Sequence, residues 1–410
     1  MTASTSAGPL AGVAVLDLTQ ILAGPMCTMV LADMGADVIK VEKPNGGDDN
    51  RRMGPPFVKD WSAGFLAVNR NQRSLALDLQ NEEGRKVFKR LVEGADVVVE
   101  NFRPGVMERL GLAYEELRKI KPALVYCTIS GFGSTGPARN RGGFDLVAQG
   151  VSGLMSITGH PNSPPAKVGV PITDLTAGLY GANGIMAAYI HALRTGEGQM
   201  VDTSLMEAGV AYTVWESSVY FAEGEIPGPL GSAHRVSAPY QALRTRNGYL
   251  NLGAATQPTW EQLCRAIGLE DLMEDDRFRN PWDRKAREEE LAALLEETFS
   301  TDDTERWLEL LDGAGVVAGP IYNMEQVYQD PQVLAREMLV EMEDPDLGTI
   351  RNIGVPVKLS ETPGSIRRRA PALGEHSAEI LLEWGFGQNE VDGLLADGVI
   401  LANQGSGSRR

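Results

Sequence analysis

The chain has few cysteines, few histidines, and fewer basic than acidic residues. Its three cysteines, Cys27, Cys127 and Cys264, are far apart and lie in apolar stretches, which indicates reduced core thiols, not a disulfide framework. The four histidines show no metal-ligand spacing, so we predict no metal cofactor. The formal net charge is −17. This argues against nucleic acid as a partner, because a phosphate backbone requires a basic surface.

Long apolar runs are also missing. No stretch approaches the roughly 20 residues of a membrane-spanning helix, and residues 1–9 have neither the charged start nor the apolar core of a secretory signal. We therefore expect a cytoplasmic protein that does not bind membranes. With 410 residues, of which 43% are hydrophobic and 23% charged, the chain has an ordinary globular composition and should form at least two domains.

Apolar segments alternate with helical ones in the N-terminal part. Strands are predicted over residues 13–18, 38–42, 97–100 and 123–129, with helices over 25–34, 82–93 and 114–120. This alternation predicts an α/β fold with an open, mostly parallel, Rossmann-like sheet. The Gly-x-Gly-x-x-Gly fingerprint does not follow the first strand, which argues against a nicotinamide-dependent enzyme.

The second half is more mixed. A Pro/Gly-rich linker is predicted over residues 223–235, a hairpin over 240–252, charged helices over 260–311 and a strand over 316–321. A helix should begin after Asp330, and a second hairpin is predicted over 347–359 with Pro356 at a sheet edge. The final helix is predicted at about 377–384, and the tail 404–410 is expected to be disordered.

Asp174 follows a short apolar stretch that ends at Pro171. It precedes a Gly/Ala-rich segment that is predicted to be helical to about Leu193, so Asp174 should lie at the helix N-cap or in the first turn. The helix dipole and unpaired backbone N–H groups favour an ionised carboxylate there. Two interpretations remain open: a simple helix cap, which is a frequent role of Asp, or a carboxylate nucleophile.

A glycine-dense loop over residues 130–143 directly follows a predicted strand and carries Arg139 and Arg141. Ligands of open α/β sheets bind at the carboxyl ends of strands. Glycines allow the backbone to approach a ligand closely, and the arginines add positive charge. The segment is therefore either a ligand-binding loop or a flexible surface loop.

Many short motifs, in one order along nearly the whole chain, resemble the family III CoA-transferases, which include formyl-CoA:oxalate and carnitine-linked enzymes. The motifs are VLDLT from Val15, AGP from Ala23, LADMGADVIKVEKP from Leu31, NRNQRSL from Asn69, ENFRPGVMERLG from Glu100, SGFG from Ser130, GFDLVAQ from Gly143, the segment around Asp174, and APYQA from Ala238. The later motifs look most like the branch that uses succinyl-CoA and glutarate-type dicarboxylic acids.

The resemblance implies a Rossmann-like large domain over residues 1–222, the linker 223–235, a smaller α+β domain over 236–325, and a C-terminal segment, 326–410, that completes the large domain. It also implies a homodimer of interlocked rings. The implied substrates are an acyl-CoA and a carboxylic acid, with coenzyme A as the group transferred and no metal. Asp174 would form an aspartyl anhydride and then an aspartyl-CoA thioester.

The site residues implied by the resemblance fall into several groups. Asp174 is the nucleophile and Asp145 a second active-site acid. The segment Gln20, Ile21, Leu22 and Ala23 should line the reacting thioester. The CoA-binding candidates are Asn101, Phe102, Arg103, Val106, Arg109, Gly142, Gly143, Phe144, Asn71 and, for phosphate, Lys43 and Arg73. The loop that begins at Gly253, Ala254 and Ala255 should shield the intermediate, and Arg235, Arg139 and Arg141 are candidates for a second substrate carboxylate. For each basic residue the alternative is a solvated surface charge.

Two other functions compete with the CoA-transferase interpretation. An α-methylacyl-CoA racemase of the same superfamily also carries an Asp at the Asp174 position, but it needs a second base, a His, where this chain has Phe144. A non-catalytic CoA-binding protein would be expected to have lost Asp174, which is present. We therefore predict a CoA-transferase that moves CoA from an acyl-CoA, expected to be succinyl-CoA, to a carboxylic acid, expected to be a dicarboxylic acid.

Overall fold

The computed structural model describes residues 8–403. The strands are β1 (Ala14–Asp17), β2 (Asp37–Glu42), β3 (Phe57–Val58), β4 (Trp61–Ser62), β5 (Arg73–Leu77), β6 (Val97–Glu100), β7 (Val125–Ser130), β8 (Met200–Ser204), β9 (Tyr240–Arg244), β10 (Tyr249–Gly253), β11 (Val317–Pro320), β12 (Leu339–Asp344), β13 (Gly348–Ile353) and β14 (Ile400–Leu401).

The α-helices are α1 (Ala23–Asp33), α2 (Ala63–Val68), α3 (Glu82–Gly94), α4 (Val106–Leu110), α5 (Tyr114–Leu117), α6 (Asp145–Val151), α7 (Leu154–Ile157), α8 (Ile172–Thr195), α9 (Leu205–Tyr212), α10 (Val214–Glu223), α11 (Gln257–Ile267), α12 (Pro281–Ala286), α13 (Glu288–Phe299), α14 (Thr304–Gly313), α15 (Met324–Val327), α16 (Pro331–Ala335), α17 (Ser377–Glu383) and α18 (Gln388–Ala396). The tail that was predicted to be disordered, 404–410, lies outside the described residues.

The chain divides into two compact units. The first comprises the described residues of Met1–Met155, Lys167–Glu225 and Gln332–Arg410, and the second comprises Ser156–Ala166 and Ile226–Pro331. The predicted large domain ended at residue 222 and resumed at 326, whereas the first unit ends at Glu225 and resumes at Gln332. Residues 156–166, which the sequence placed in the large domain, group with the second unit.

The first unit is built on a seven-stranded sheet with the order β14-β5-β2-β1-β6-β7-β8. Its strands pair in parallel, except that β14 runs antiparallel to β5. The predicted α/β class with a mostly parallel sheet is therefore confirmed. Three of its strands, β5, β8 and β14, were not predicted. β5 and β8 carry polar residues within them, and β14 has only two residues.

Side chains that alternate along the strands enter two cores, one on each face of the sheet. Val15, Val97 and Val99 join residues of α1 and α8 on one face, whereas Leu16 and Val98 join residues of α3, α17 and α18 on the other. This alternation follows from the two-residue period of a strand. Helices on both faces of a parallel sheet leave the carboxyl ends of its strands as the natural ligand edge.

Glycines allow α8 to pack closely on α1 and the sheet. A Cβ atom added at Gly178 would lie 2.6 Å from the carbonyl oxygen of Ala23, and one at Gly181 would lie 3.1 Å from Sγ of Cys27. The contact at Gly178 leaves no room for a side chain, whereas a side chain at Gly181 would require its neighbours Cys27 and Ile129 to shift slightly. The Gly/Ala composition of the predicted long helix is therefore a packing requirement, and it brings the N-terminal ends of α1 and α8 together.

Arg73 shows how β5 is fixed. Its buried guanidinium contacts Asp37 at 2.6 Å and the α17 carboxylates Glu379 and Glu383 at 3.1 and 2.6 Å. These charge-assisted contacts join β2, β5 and α17. Arg73, at the start of β5, is therefore paired with carboxylates of the neighbouring strand β2 and of the helix α17.

The C-terminal part differs from the prediction in two places. The hairpin consists of β12 and β13, so it begins earlier than the predicted range 347–359, and Pro356 lies beyond its second strand. The helix near 377–384 is α17, but it is not the last element, since α18 and β14 follow it. Polar residues on the exposed faces of these elements obscured their periodicity.

The second unit has its own core. Its three-stranded antiparallel sheet has the order β11-β10-β9, and the predicted hairpin with its Arg246-Asn-Gly turn is confirmed by the pairing of β9 with β10. Buried apolar residues of this sheet pack with residues of α11, α13 and α14. Over residues 8–403, no helix is both long and apolar enough to cross a membrane.

Candidate active site

Asp174 lies in the first turn of α8, but it does not cap this helix. The N-cap residue is Pro171, and the carboxylate that caps the helix belongs to Asp145. One oxygen of Asp145 accepts hydrogen bonds from the backbone N–H of Thr173 at 2.9 Å and from its hydroxyl at 2.8 Å. Its other oxygen accepts from the amide of Gln149 at 2.7 Å.

The two acids therefore have different surroundings. Asp145 is held by three hydrogen bonds, whereas the side chain of Asp174 has no hydrogen-bond or ion-pair partner among residues 8–403. Of the two interpretations left open by the sequence, the capping role is filled by Asp145. This leaves the carboxylate of Asp174 available to a ligand.

A cavity of about 220 Å³ contains Asp174. Its walls come from the segments that follow β1, β6 and β7, together with the glycine loop and the start of α9, so it lies at the carboxyl edge of the sheet. The lining residues are Gln20, Ile21, Leu22, Ala23, Asn101, Phe102, Arg103, Pro104, Ile129, Ser130, Gly131, Arg141, Gly142, Gly143, Phe144, Asp174 and Leu205.

Burial and, to a smaller extent, the negative charge of Asp145 raise the pKa of the Asp174 carboxyl from its ordinary 3.8 to about 7. A strongly shifted acid in a cavity is typical of functional sites. The Asp174 carboxyl is therefore easier to protonate than a surface Asp, and its ionised form lacks the full solvation of a surface carboxylate.

Asn101 joins two walls of the cavity. Its side-chain oxygen accepts a hydrogen bond from the backbone N–H of Gln20, and its amide nitrogen donates to the carbonyl of Gln20, both at 2.8 Å. This reciprocal pair links the segment after β6 to the segment after β1. The predicted contact of Asn101 with CoA stays a prediction.

Glycines shape the opposite wall. A Cβ added at Gly131 would lie 2.7 Å from the Cα of Gly143, and one at Gly143 would lie 2.6 Å from the Cα of Gly131. The loop therefore folds back against the end of β7 only if both residues are glycine. Beside this contact, the guanidinium of Arg141 lies 4.9 Å from the centre of the Phe132 ring.

Several predicted residues do not line this cavity. Lys43 pairs with Asp49 at 2.9 Å, and the guanidinium of Arg73 is engaged by three carboxylates as described above. The buried amide of Asn71 donates to Asp33 and accepts from the backbone of residues 367 and 368. All three residues therefore have partners within the protein, and their predicted contact with CoA stays a prediction. Val106, Arg109, Arg139 and Asp145 also lie outside the cavity lining.

The predicted residues of the second unit have local partners. Ala254 is buried, the carbonyl of Ala255 accepts a hydrogen bond from Arg284 at 3.2 Å, and Arg235 donates to the carbonyl of Gly228 at 2.8 Å. Gly253 ends β10. The shielding role of this loop stays a prediction.

Sequence reasoning did not assign Pro104, Ile129, Ser130, Gly131 or Leu205 to the site. Ser130 and Gly131 belong to the glycine loop that was singled out, so a signal for them was present. Leu205 had no such sequence signal. It follows β8 directly, and the parallel pairing of β8 with β7 places it at the same edge of the sheet as the end of β7.

A larger cavity of about 420 Å³ adjoins the first. Both are lined by Phe102, Arg103, Pro104 and Ser130. The second cavity is also lined by Glu100, whose pKa is raised to about 7, mainly by burial. Together the two cavities form the concave surface around the end of β6.

Comparisons with known proteins identify the family of this chain. The family model "CoA-transferase family III" matches residues 10–377. The chain is 41% identical over 393 residues to human succinyl-CoA:glutarate CoA-transferase, covering 96% of this chain and 90% of that protein. It is 43% identical over 390 residues to succinyl-CoA:mesaconate CoA-transferase of Haloarcula hispanica, covering 93% and 97%. A solved CAIB/BAIF family protein of Brucella suis has a TM-score of 0.83 at 40% identity, covering 92% of this chain and 99% of that one.

The raised pKa predicts how Asp174 affects stability. The pKa is higher in the folded state than the ordinary 3.8 of the unfolded chain, so the cost of ionising this buried acid is fully present above about pH 7 and disappears as the pH falls toward 4. The full pKa shift corresponds to roughly 4 kcal/mol. Because the carboxyl is partly exposed, we halve this value and expect Asp174→Asn to raise the free energy of unfolding at pH 8 by about 2 kcal/mol.

Urea unfolding of the parent and of Asp174→Asn at pH 8 and pH 4 tests this expectation. The gain should be near zero at pH 4. Asp392→Asn removes the same charge from an exposed position of α18 and serves as the control. An equal gain at both pH values would contradict the assignment of the shift to Asp174.

Proposed function

Because the chain belongs to CoA-transferase family III, we propose that it transfers CoA from succinyl-CoA to a dicarboxylic acid through covalent intermediates on Asp174. The observation that carries the proposal is the unpartnered carboxylate of Asp174 in a cavity where Asp145 already caps the helix. The names of the human and Haloarcula relatives, which use glutarate and mesaconate, support a dicarboxylic acceptor.

The reaction is an exchange between carboxylate and thiolate. A carboxylate oxygen of Asp174 attacks the thioester carbonyl, the C–S bond breaks, and an aspartyl anhydride and CoA thiolate result. The thiolate then attacks the aspartyl carbonyl and releases the donor as a carboxylate, which leaves an aspartyl-CoA thioester. An acceptor carboxylate reverses these two steps and regenerates Asp174. No proton is consumed overall, so the site needs no general acid.

Backbone groups can stabilise the oxyanions of these steps. The helices α1 and α8 both begin at the cavity, with Ala23 and Asp174 among its lining residues. The first N–H groups of a helix lack acceptors within the helix and favour negative charge. At α8 the N–H groups of Ile172 and Thr173 already donate to the carbonyl of Val170 and to Asp145. At the start of α1 the N–H groups of Ala23 and Gly24 have no acceptor outside their helix among the described residues, and we propose that these two serve as oxyanion donors.

The acyl-CoA needs more room than the first cavity offers. Ligand sites usually enclose about 300–1,000 Å³, so we propose that part of the acyl-CoA extends past Phe102 and Arg103 toward the second cavity. Arg103 and Arg109 are exposed and form no ion pair among the described residues, so they are available for CoA phosphates on an otherwise acidic protein.

For the second carboxylate of the acceptor we propose Arg141. It lines the cavity with Asp174, forms no ion pair within residues 8–403, and lies over the ring of Phe132. Arg139 does not line the cavity, and Arg235 donates to a backbone carbonyl of the second unit. Stacking on an aromatic ring orients a guanidinium for bidentate carboxylate binding.

A racemase remains the weaker alternative. Phe144 occupies the position of its second base, lines the cavity and is 76% exposed, and its ring cannot transfer a proton.

The cytoplasmic location stays a prediction.

We also propose that the chain forms a homodimer. No residue of α10 is buried, although this helix carries Val214, Trp215, Tyr220 and Phe221. Val214 and Phe221 are seven residues apart, so they lie on one face of the helix, and they are 74% and 80% exposed. Large apolar side chains that are exposed together on one face are typical of protein interfaces. In the interlocked homodimer that the family resemblance implies, a second copy of the chain would cover these apolar side chains of α10.

The covalent mechanism predicts that Asp174→Ala abolishes CoA transfer, by a factor of at least about 10³, because the cavity lining contains no other carboxylate that could form the anhydride. CoA binding, measured by calorimetry, should change by less than about threefold, since the CoA contacts remain. In the parent enzyme, succinyl-CoA with hydroxylamine should produce a hydroxamate at Asp174 that peptide mass spectrometry detects. Retained turnover of Asp174→Ala would refute the mechanism.

The assignment of Arg141 predicts a defect that depends on the acceptor. Arg141→Gln should raise the KM for glutarate roughly 10- to 100-fold, the equivalent of losing a charge-assisted hydrogen bond, but should change the KM for a monocarboxylic acid little. Initial rates, measured by mass spectrometry with oxalate, glutarate, itaconate, mesaconate, citramalate and, as the monocarboxylic acid, butyrate, give these KM values. Arg139→Gln is the matched control, and an equal loss in both variants would rule out a specific role of Arg141.

The dimer proposal predicts a mass in solution of twice the 44.2 kDa of one chain, measured by light scattering. The double substitution Val214→Glu, Phe221→Glu should shift the protein toward monomer, because two charges would have to be buried. Val357→Glu changes an exposed apolar residue elsewhere and should leave the mass unchanged. A monomeric parent protein would show the proposal to be wrong.

A further inference from the structure

Ile21 adopts an unusual backbone conformation at the wall of the active-site cavity. Its φ angle is +69°, in the left-handed region that a β-branched residue rarely enters because Cβ crowds the following carbonyl. It is 37% exposed and lines the cavity with Asp174. Such strain persists only where the surrounding contacts enforce it.

Side chains from another loop bind the backbone of Ile21 on both sides. Its N–H donates to Oδ1 of Asp48 at 3.0 Å, and its carbonyl accepts from the amide nitrogen of Asn50 at 2.8 Å. The backbone of the preceding residue, Gln20, is bound by Asn101 in the same reciprocal way. Every backbone polar group of these two residues therefore has a side-chain partner.

The loop that provides Asp48 and Asn50 is itself fixed. Asp48 is 1% exposed, accepts the backbone N–H of Asn50 at 2.9 Å, and lies 3.1 Å from the ammonium of Lys40. Lys40 is fully buried, donates to the carbonyl of Thr19 at 2.9 Å, and is 3.9 Å from Asp17. Burying a charge costs free energy unless the charge is well paired. Here the paired charges of Lys40, Asp17 and Asp48 fix the segment that precedes Ile21.

We propose that Asp48 and Asn50 are positioning residues, which hold Ile21 in its left-handed conformation and thereby fix the wall Gln20–Ala23 opposite Asp174. This inference rests on the proposed function, since the wall matters to catalysis only if the reacting thioester lies against it. Without the two hydrogen bonds Ile21 can relax to a negative φ angle, which would displace Leu22 and the start of α1 at Ala23.

The test is a double-mutant cycle between Asn50 and Ile21. Asn50→Ala should lower kcat for CoA transfer roughly tenfold, because small displacements of positioning groups are costly, and should change the KM for succinyl-CoA less. Ile21→Gly removes the strain, since glycine enters the left-handed region without cost. In the Ile21→Gly background, Asn50→Ala should therefore cost less than about threefold in kcat.

A second readout does not depend on turnover. Hydrogen exchange of the peptide that spans residues 19–23 should accelerate at least tenfold in Asn50→Ala. Asn69→Ala is the matched control, since this buried asparagine also donates one hydrogen bond to a backbone carbonyl, that of Phe65 at 2.9 Å, and it should leave this peptide unchanged. If Asn50→Ala does not fold, Asn50→Asp removes the same donor at constant size.

Equal losses of kcat in both backgrounds, or unchanged exchange of residues 19–23, would overturn the inference. Failure of the proposed function has a different signature. If the parent protein transfers no CoA, or if Asp174→Ala retains transfer, the exchange measurement still reports whether Asn50 holds Ile21.

Discussion

The site depends on the close contact between α1 and α8 at Gly178. A side chain there would meet the carbonyl oxygen of Ala23 at 2.6 Å, so this contact exists only because the position is glycine. Gly178 lies one helical turn after Asp174, and Ala23 is the first residue of α1. The contact therefore sets the distance between the nucleophile candidate on one helix and the N–H groups that begin the other. Without it the two helix ends would not share a cavity.

The polar side chains around this contact fall into two classes. Asp145, Asn101, Asp48 and Asn50 have all their main contacts within the protein and fix the backbone of the cavity walls. Asp174 and Arg141 have no ion-pair partner in the described part of the chain and lie in the cavity lining. Asp174 is half-buried, and such a charge without a partner is unfavourable in the free protein. Arg141 is exposed and therefore remains available to a substrate carboxylate.

The sequence predicted those parts of the fold that have strong periodicity. The strands at Val97–Glu100 and Val125–Ser130 begin with runs of three apolar residues and were predicted within a few residues. The strands β5 and β8 were not predicted, because they contain charged or polar residues such as Arg73 and Asp202. Their partners lie far away in the sequence, as Glu379 and Glu383 do for Arg73, so no local pattern could show that these charges are paired.

The site was predicted in the same uneven way. The resemblance placed Gln20–Ala23, Asn101–Arg103 and Arg141–Phe144 together, and the structure brings them into one cavity. It could not separate residues that touch the substrate from residues that hold the backbone. Lys43, Asn71 and Arg73 carry suitable donors, but their donors are engaged by Asp49, Asp33 and the β5 ion pairs. Only the three-dimensional arrangement shows which donors remain available.

Asp174 combines two requirements that oppose each other. A nucleophilic carboxylate must be ionised, which solvation and the helix N-terminus favour, yet it is more reactive when it is poorly solvated and more basic. Burial and the negative charge of Asp145 move the pKa to about 7, where both ionised and neutral forms are populated. Because Asp145 caps α8 through Thr173, the group that shapes the helix start is also the group whose charge raises the basicity of Asp174. The capping contact and the reactivity of the nucleophile are therefore coupled, so a change at Asp145 should alter both.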